Sequence, residues 1–199
     1  MRIGILGGTF DPPHTGHITM AKKAFEQLNL AEVWIMPTGN PGYKGREDIT
    51  DKYIRAKMVE LAISEENNLK FSDIELKRDG LIYTRDTLTI LKEQYPEHEF
   101  FFIIGGDSIN DIKKWYKPEE IFKLCTICAV CRDDICDDTL NGIIKELRSE
   151  FDAKIELLNI EAMNISSSGI REKIKKGVNI ENDVPKKVAE YIISTNLYK

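Results

Sequence analysis

Short apolar runs of β type alternate along this chain with segments whose apolar residues recur every three or four positions. The runs are "RIGIL" (2–6), "EVWIM" (32–36), "LKFSDIEL" (69–76), "EFFFIIG" (99–105), "TICAVC" (126–131) and "KIELLNI" (154–160). Each reads as a strand, and "EFFFIIG", apolar at nearly every position, reads as a central strand covered on both faces. Between them, Ile18, Ala21, Phe25 and Leu28 form the stripe of a helix from about Gly16 to Leu28, and Ile54, Met58 and Leu61 that of a second from Thr50 to Ile63. A third helix is predicted to open at Thr84 as its N-cap and to stop before Pro96. Pro118 suits the first turn of a short helix in "KPEEIFKL", and residues 138–150 carry another with a charged outer face. The tail holds "SSSGIREKIKKG", closed by Gly177, and "VPKKVAEYIIST", opened by Pro185. The alternation predicts an α/β fold: a doubly wound, mostly parallel sheet in one domain over 1–199, with a small helical subregion from about 163 to 199.

Composition narrows the class. At 199 residues, 42% hydrophobic and 31% charged, the chain can bury roughly 70% of its unfolded surface without a disulfide scaffold. No apolar run approaches the roughly 18 residues of a membrane span, and the apolar stretch after Arg2 is too short for a signal-peptide core. A cytoplasmic chain with no membrane partner is expected. A net charge of −5 argues against a general nucleic-acid binder and leaves open a polyanionic small molecule held by a few local cations. The four cysteines, Cys125, Cys128, Cys131 and Cys136, fall together in "CTICAVCRDDIC", a spacing that raises iron–sulfur or zinc ligation. Strand alternation sets Cys125 and Cys131 on one face and Cys128 on the other, so they read instead as core cysteines packed like small hydrophobes.

The stretch with most chemistry is "GILGGTFDPPHTGH", residues 4–17, which holds two of the chain's three histidines. The first strand ends at Gly7 and Gly8, and the chain turns into a helix starting near Thr15. Glycines at such a turn let backbone N–H groups approach a ligand, and a helix N-terminus favours an anion. His14 and His17, three apart across the helix start, can both aim at that anion. Zinc would need further ligands than an H-x-x-H pair. Neither G-x-G-x-x-G nor G-x-x-x-x-G-K-[ST] is present, which sets aside a hydride-transfer cofactor and a Walker-type loop. A Gly- and Pro-rich segment, residues 37–48, carries Lys44 and Arg46 and reads as a phosphate-facing lid.

"GGTFDPPHTGH" resembles the G-x-F-x-P-x-H-x-G-H signature of the nucleotidyltransferase superfamily, and "ISSSGIR" (165–171) resembles its second signature, I-S-S-T-x-I-R, with Ser168 in place of Thr. "MPTGNPGYK", "DIELKRDGLIYTRDTL", "FFIIGGDS", "KKWYKPEEI" and "VPKKVAEYI" extend the resemblance over essentially the whole chain to the bacterial nicotinate-nucleotide adenylyltransferase family. The resemblance implies a Rossmann-like nucleotidyltransferase fold and transfer of AMP from ATP to nicotinate mononucleotide, giving deamido-NAD and pyrophosphate, with Mg²⁺ accompanying ATP and no protein-held metal. It departs at Gly42 and Tyr43, where the family has Pro and His, and after Arg132, where Asp133 and Asp134 follow.

The implied catalytic set is His14, His17, Lys44 and Arg171. ATP would meet Gly8, Thr9, Phe10 and His17 at the first motif, Gly105 and Asp107 at the ribose, and Ser166, Ser167 and Arg171 at the β- and γ-phosphates. Nicotinate mononucleotide would meet Thr9, Asn40, Lys44, Tyr83, Thr84, Trp115 and Arg132, with Trp115 against the ring and the helix N-terminus at Thr84 on the carboxylate. The transfer needs no enzyme nucleophile, only positioning and charge neutralisation. Phosphopantetheine adenylyltransferase, which shares H-x-G-H but lacks "LIYTRDTL" and "KKWY", is the alternative enzyme; a nucleotide-sensing module is the alternative of another class. A homo-oligomer stays open.

Overall fold

Apolar residues at successive positions of one strand can all be buried only where both faces of the sheet are covered. The computed structural model meets that demand; it describes residues 1–40, 49–132, 138–161 and 163–199, without the side chains of Asp107, Arg132 and Asp138. Strands β1 (Arg2–Gly8), β2 (Glu32–Pro37), β3 (Leu69–Phe71), β4 (Glu99–Ile104), β5 (Thr126–Arg132) and β6 (Ile155–Ile160) pair in the order β3-β2-β1-β4-β5-β6, every pair parallel. This is the doubly wound order with its switch point between β1 and β4.

The helices are α1 (Thr15–Gln27), α2 (Lys52–Ile63), α3 (Thr84–Gln94), α4 (Gly106–Asp111), α5 (Pro118–Leu124), α6 (Asp138–Phe151), α7 (Ser167–Lys175) and α8 (Lys186–Thr195), with a 3-10 turn at Ile112–Lys114. The two faces of β4 show how they are laid. Phe101 and Ile103 join one core with Ile18, Ala21 and Ala24 of α1, Met58 and Val59 of α2, Ile170 of α7, and Val188 and Ile192 of α8. Phe100, Phe102 and Ile104 join the other with Leu88 and Leu91 of α3, Ile109 of α4, Ile121 of α5, and Ile144 and Leu147 of α6. The C-terminal helices α7 and α8 thus share the first core.

Five elements differ from the expectation. The run "LKFSDIEL" is a strand only over Leu69–Phe71: the Asp73 carbonyl accepts from the Leu76 and Lys77 amides, turning the chain at the sheet edge. Helix α2 opens at Lys52 because Asp51 is the capping residue, its Oδ1 accepting from the Tyr53 amide at 2.8 Å. Helix α3 takes Tyr83 as its N-cap, and Thr84 is its first helical residue. Helix α4 and the 3-10 turn went unanticipated, six and three residues being too short to show a period. Gly177 does close α7, with φ of +68°. Cys125 and Cys128 face opposite cores as free buried thiols, whereas Cys131 is buried but disulfide-bonded, which corrects its reading as a simple apolar filler. Burial pushes the Cys125 thiol up to about 12 and the Cys128 thiol higher, so both stay protonated and pack as small apolar groups. No cluster of three His, Cys, Asp or Glu suited to a metal occurs among the described residues.

Candidate active site

The carboxyl ends of β1 and β4 flank the switch point, and there the loop 9–14 carries the chain from Gly8 to α1. Its course is tight. Phe10 has φ of 51°, the Asp11–Pro12 peptide is cis, and the Phe10 ring turns inward to 2% exposure. Phe10, a candidate for ATP, lays its buried ring edge-on to His17, 4.9 Å between centroids, which leaves its backbone as the part that can face a nucleotide.

His14 is the N-cap of α1 and is buried. Its amide donates to Nδ1 of His17 at 3.1 Å, and the two rings stack 3.6 Å apart. Nδ1 of His14 is buried with no partner. Gly16 completes the pair: a Cβ there would stand 3.0 Å from Nδ1 of His14, so any side chain would press on that ring. Burial drives the His14 imidazole down to about 4, against a smaller upward pull from Asp183. At the helix end the Asp183 carbonyl accepts from the Thr15 amide at 2.9 Å and the His14 carbonyl from the His17 amide at 3.0 Å, and Gly16 between them lines the cavity beside His14.

The second motif docks on the first. Ser166 caps α7, its Oγ accepting from the Gly169 amide at 3.1 Å, and Ser167 Oγ donates to the Pro12 carbonyl at 2.8 Å across 155 residues of sequence. Arg171 Nη1 donates to the Asp11 carbonyl at 2.7 Å. Ser167 thus spends its proton on protein, whereas Ser166 accepts from Gly169 and lies 3.2 Å from Ser168 Oγ, so the candidate phosphate donors at this motif are the N-terminal amides of α7, the Ser166 hydroxyl and the rest of the Arg171 guanidinium.

Beside His14, a small cavity of about 90 Å³ opens between Gly16, Gly105, Gly106, Val130 and Ile160, at the carboxyl ends of β4, β5 and β6. Gly105 is the N-cap of α4, placing the start of that helix on the cavity wall. Two larger grooves lie elsewhere, about 700 Å³ among α1, α2 and α8 and about 750 Å³ at the amino ends of the strands, and neither brings candidate residues together.

On the other side of β1, Thr84 heads α3, with Tyr83 ahead of it stacked obliquely on Tyr116 at 4.6 Å. Asp86 in the first turn is paired with Arg85 and Arg78. Trp115 is half-buried, edge-on to Phe102 at 6.2 Å. Asn40 is exposed, three residues after β2. Lys44 with Gly42, Tyr43 and Arg46, together with the side chains of Asp107 and Arg132, lies outside the described residues.

Sequence reasoning missed three groups beneath the site. Arg55 is 1% exposed and spends its guanidinium on four carbonyls: Nε on Thr50 at 2.9 Å, Nη1 on Thr9 at 2.7 Å, and Nη2 on Thr38 at 2.8 Å and Gly39 at 3.1 Å. It thereby ties the exits of β1 and β2. The available signal was an arginine inside an i, i+3, i+4, i+7 apolar stripe, with Met58, Val59 and Ala62. Glu75 accepts from Thr87 Oγ1 at 2.9 Å and from Thr38, and burial raises its pKa against those bonds. Tyr198, one residue from the C-terminus, donates its hydroxyl to Asp11 Oδ1 at 2.6 Å; nothing local in the sequence signals it.

Comparison with known proteins agrees with this geometry. Residues 5–173 match the cytidylyltransferase-like family. The chain is 37% identical over 198 residues to the nicotinate-nucleotide adenylyltransferase of Bacillus subtilis, covering 100% of this chain and 98% of that one. It is 41% identical over 197 residues to a probable nicotinate-nucleotide adenylyltransferase of Lachnoclostridium phytofermentans, covering 99% and 98%. Among solved structures, Plasmodium falciparum nicotinic acid mononucleotide adenylyltransferase complexed with NaAD superposes with a TM-score of 0.82 at 26% identity, covering 99% of this chain and 97% of that one.

Proposed function

We propose that this chain, which belongs to the nicotinate-nucleotide adenylyltransferase family, transfers AMP from ATP to nicotinate mononucleotide, releasing pyrophosphate and deamido-NAD. The observation that carries the reading is the union of the two signatures: Ser167 on Pro12 and Arg171 on Asp11 bring an arginine and a helix N-terminus beside the stacked His14 and His17.

The acceptor's phosphate oxygen attacks the α-phosphorus in line; a P–O bond forms, the bond to the β-phosphate oxygen breaks, and pyrophosphate leaves with that electron pair. The protein's part is to orient and to neutralise. Because Nδ1 of His17 accepts the His14 amide, a neutral His17 carries its proton on Nε2, the atom we assign to the oxygens of the transferred phosphoryl group. The Gly16 amide, His14, Arg171 and the α7 amides at Ser166 and Ser167 would hold the triphosphate, and Lys44 would close on it. The adenosine would enter the cavity at Gly105, its ribose on Asp107, with Gly8 and Thr9 against the nucleotide. Trp115 would stack on the nicotinate ring, and the Thr84 and Arg85 amides would receive its carboxylate, with Asn40, Tyr83 and Arg132 around the remainder. The family uses ATP with a divalent cation, and Mg²⁺ would accompany the triphosphate and offset charge on its oxygens. No helix among the described residues is long and apolar enough to cross a membrane, in keeping with the proposed cytoplasmic location.

Product analysis tests the reading: chromatography of a reaction containing ATP, Mg²⁺ and nicotinate mononucleotide should show the dinucleotide and pyrophosphate in equal amounts. Pyrophosphate without dinucleotide would mean that water is the acceptor and would overturn it.

A further inference from the structure

The buried groups under the first motif converge on Asp11, itself 2% exposed. Its carbonyl accepts from Arg171 Nη1 at 2.7 Å, its Oδ1 accepts from the Tyr198 hydroxyl at 2.6 Å, and its Oδ2 accepts from the Thr50 amide at 3.4 Å. The next carbonyl along, of Pro12, accepts from Ser167. Two residues beyond that comes His14. One short stretch of backbone is therefore gripped at one end by the second signature and at the other by the side chain of a residue 187 positions away, at the end of the chain.

We propose that Tyr198 is a positioning residue for ATP: its hydroxyl holds the Asp11 carboxylate, and so sets the Asp11–Pro12 carbonyls on which Arg171 and Ser167 are registered against His14 and His17. The proposal rests on the reading of those four residues as the triphosphate site. Tyr198 touches no reacting atom. Burial and the neighbouring carboxylate hold its phenol well above the usual range, so it stays a donor throughout the physiological range. Its influence falls first on the ATP side. The nicotinate mononucleotide candidates Thr84 and Trp115 sit on α3 and after the 3-10 turn, and the β2 exit near Asn40 is held directly by Arg55, which Tyr198 reaches only at second hand through Asp11 and the Thr50 backbone.

The test is calorimetric binding to the intact protein and to Tyr198→Phe, which keeps the ring and removes one oxygen. A non-hydrolysable ATP analogue and nicotinate mononucleotide are titrated separately. Loss of a charge-assisted hydrogen bond should weaken the analogue about tenfold, while nicotinate mononucleotide stays within about twofold. Asp11→Asn should weaken the analogue similarly, and the double variant should be no worse than the weaker single one, the signature of one shared interaction. Equal weakening of both ligands would show general loosening, unchanged analogue binding would show an idle hydroxyl, and additive losses would show independent effects; each overturns the proposal. Wild-type protein that bound the analogue but turned over no acceptor would overturn the reading of the reaction and leave this comparison intact.

Discussion

The amide of His14 donates to Nδ1 of His17 at 3.1 Å while the two rings stack 3.6 Å apart, so a helix-capping contact also decides which nitrogen of His17 can serve as an acceptor and which as a donor. Two imidazoles in that contact cannot both carry charge cheaply, and burial keeps His14 neutral, with its value down to about 4. His14 is thus presented as a neutral imidazole, and His17, with Nδ1 engaged as an acceptor, has Nε2 left to donate.

From this follows the behaviour of His17→Ala. Removing one donor to developing charge should lower kcat at least about 10²-fold, with far-ultraviolet dichroism unchanged. Pyrophosphate release under saturating ATP and nicotinate mononucleotide measures it, and turnover within a few-fold of wild type would remove His17 from the role.

His14 makes a prediction about pH. Its folded pKa lies below the unfolded value of about 6.5, so the unfolded chain binds the extra proton between the two. Stability from this group is complete above about 6.5 and is lost as pH falls toward about 4. Urea midpoints of ligand-free wild type and His14→Asn, compared at intervals from pH 4 to pH 7.5, should converge as the pH drops, the gap narrowing by up to about 3 kcal/mol. Parallel curves would show that His14 titrates normally in the folded state.

Arg55→Met fills similar space and deprives the Thr9, Thr38, Gly39 and Thr50 carbonyls of their donor. Breaking so buried a charged network should cost about 3–5 kcal/mol in denaturant unfolding. A loss under about 1 kcal/mol would mean that water or a backbone shift replaces the arginine.

At Gly39 an added Cβ would stand 2.5 Å from the Glu75 carbonyl oxygen, a contact that backbone cannot yield without moving. Gly39→Ala should destabilise by about 1–3 kcal/mol and raise the KM for nicotinate mononucleotide more than that for ATP, because Asn40 follows directly. Steady-state kinetics with each substrate varied in turn decides it, and an unchanged ratio of the two KM values would detach this loop from the acceptor side.

How legible the molecule was depends on the range of the interaction. Central β4 was plain from "EFFFIIG", since a strand covered on both faces must be apolar throughout, and Pro118 and Gly177 marked helix ends for local reasons. Edge strand β3 read too long because "SDIEL" alternates like a strand while Asp73 turns the chain. Thr84 looked like a cap by residue type, yet capping depends on where the first helical φ falls, which put Tyr83 in that place. The two histidines were visible as a pair, but their hydrogen bond through a backbone amide was not. Least legible were Arg55, Asp11 and Tyr198, whose partners lie on other elements and, for Tyr198, at the far end of the chain; Arg55 alone left a trace, as a charge in an apolar stripe.

Adenylylation of nicotinate mononucleotide is the reaction to which every assigned residue is referred. The most direct measurement is pyrophosphate release with ATP and Mg²⁺, comparing nicotinate mononucleotide, nicotinamide mononucleotide and phosphopantetheine under identical conditions. Turnover with the acid should lie well above that with the amide, with none from phosphopantetheine. Equal use of acid and amide would contradict the carboxylate contact at Thr84, and turnover with phosphopantetheine, or with no acceptor at all, would contradict the reaction itself.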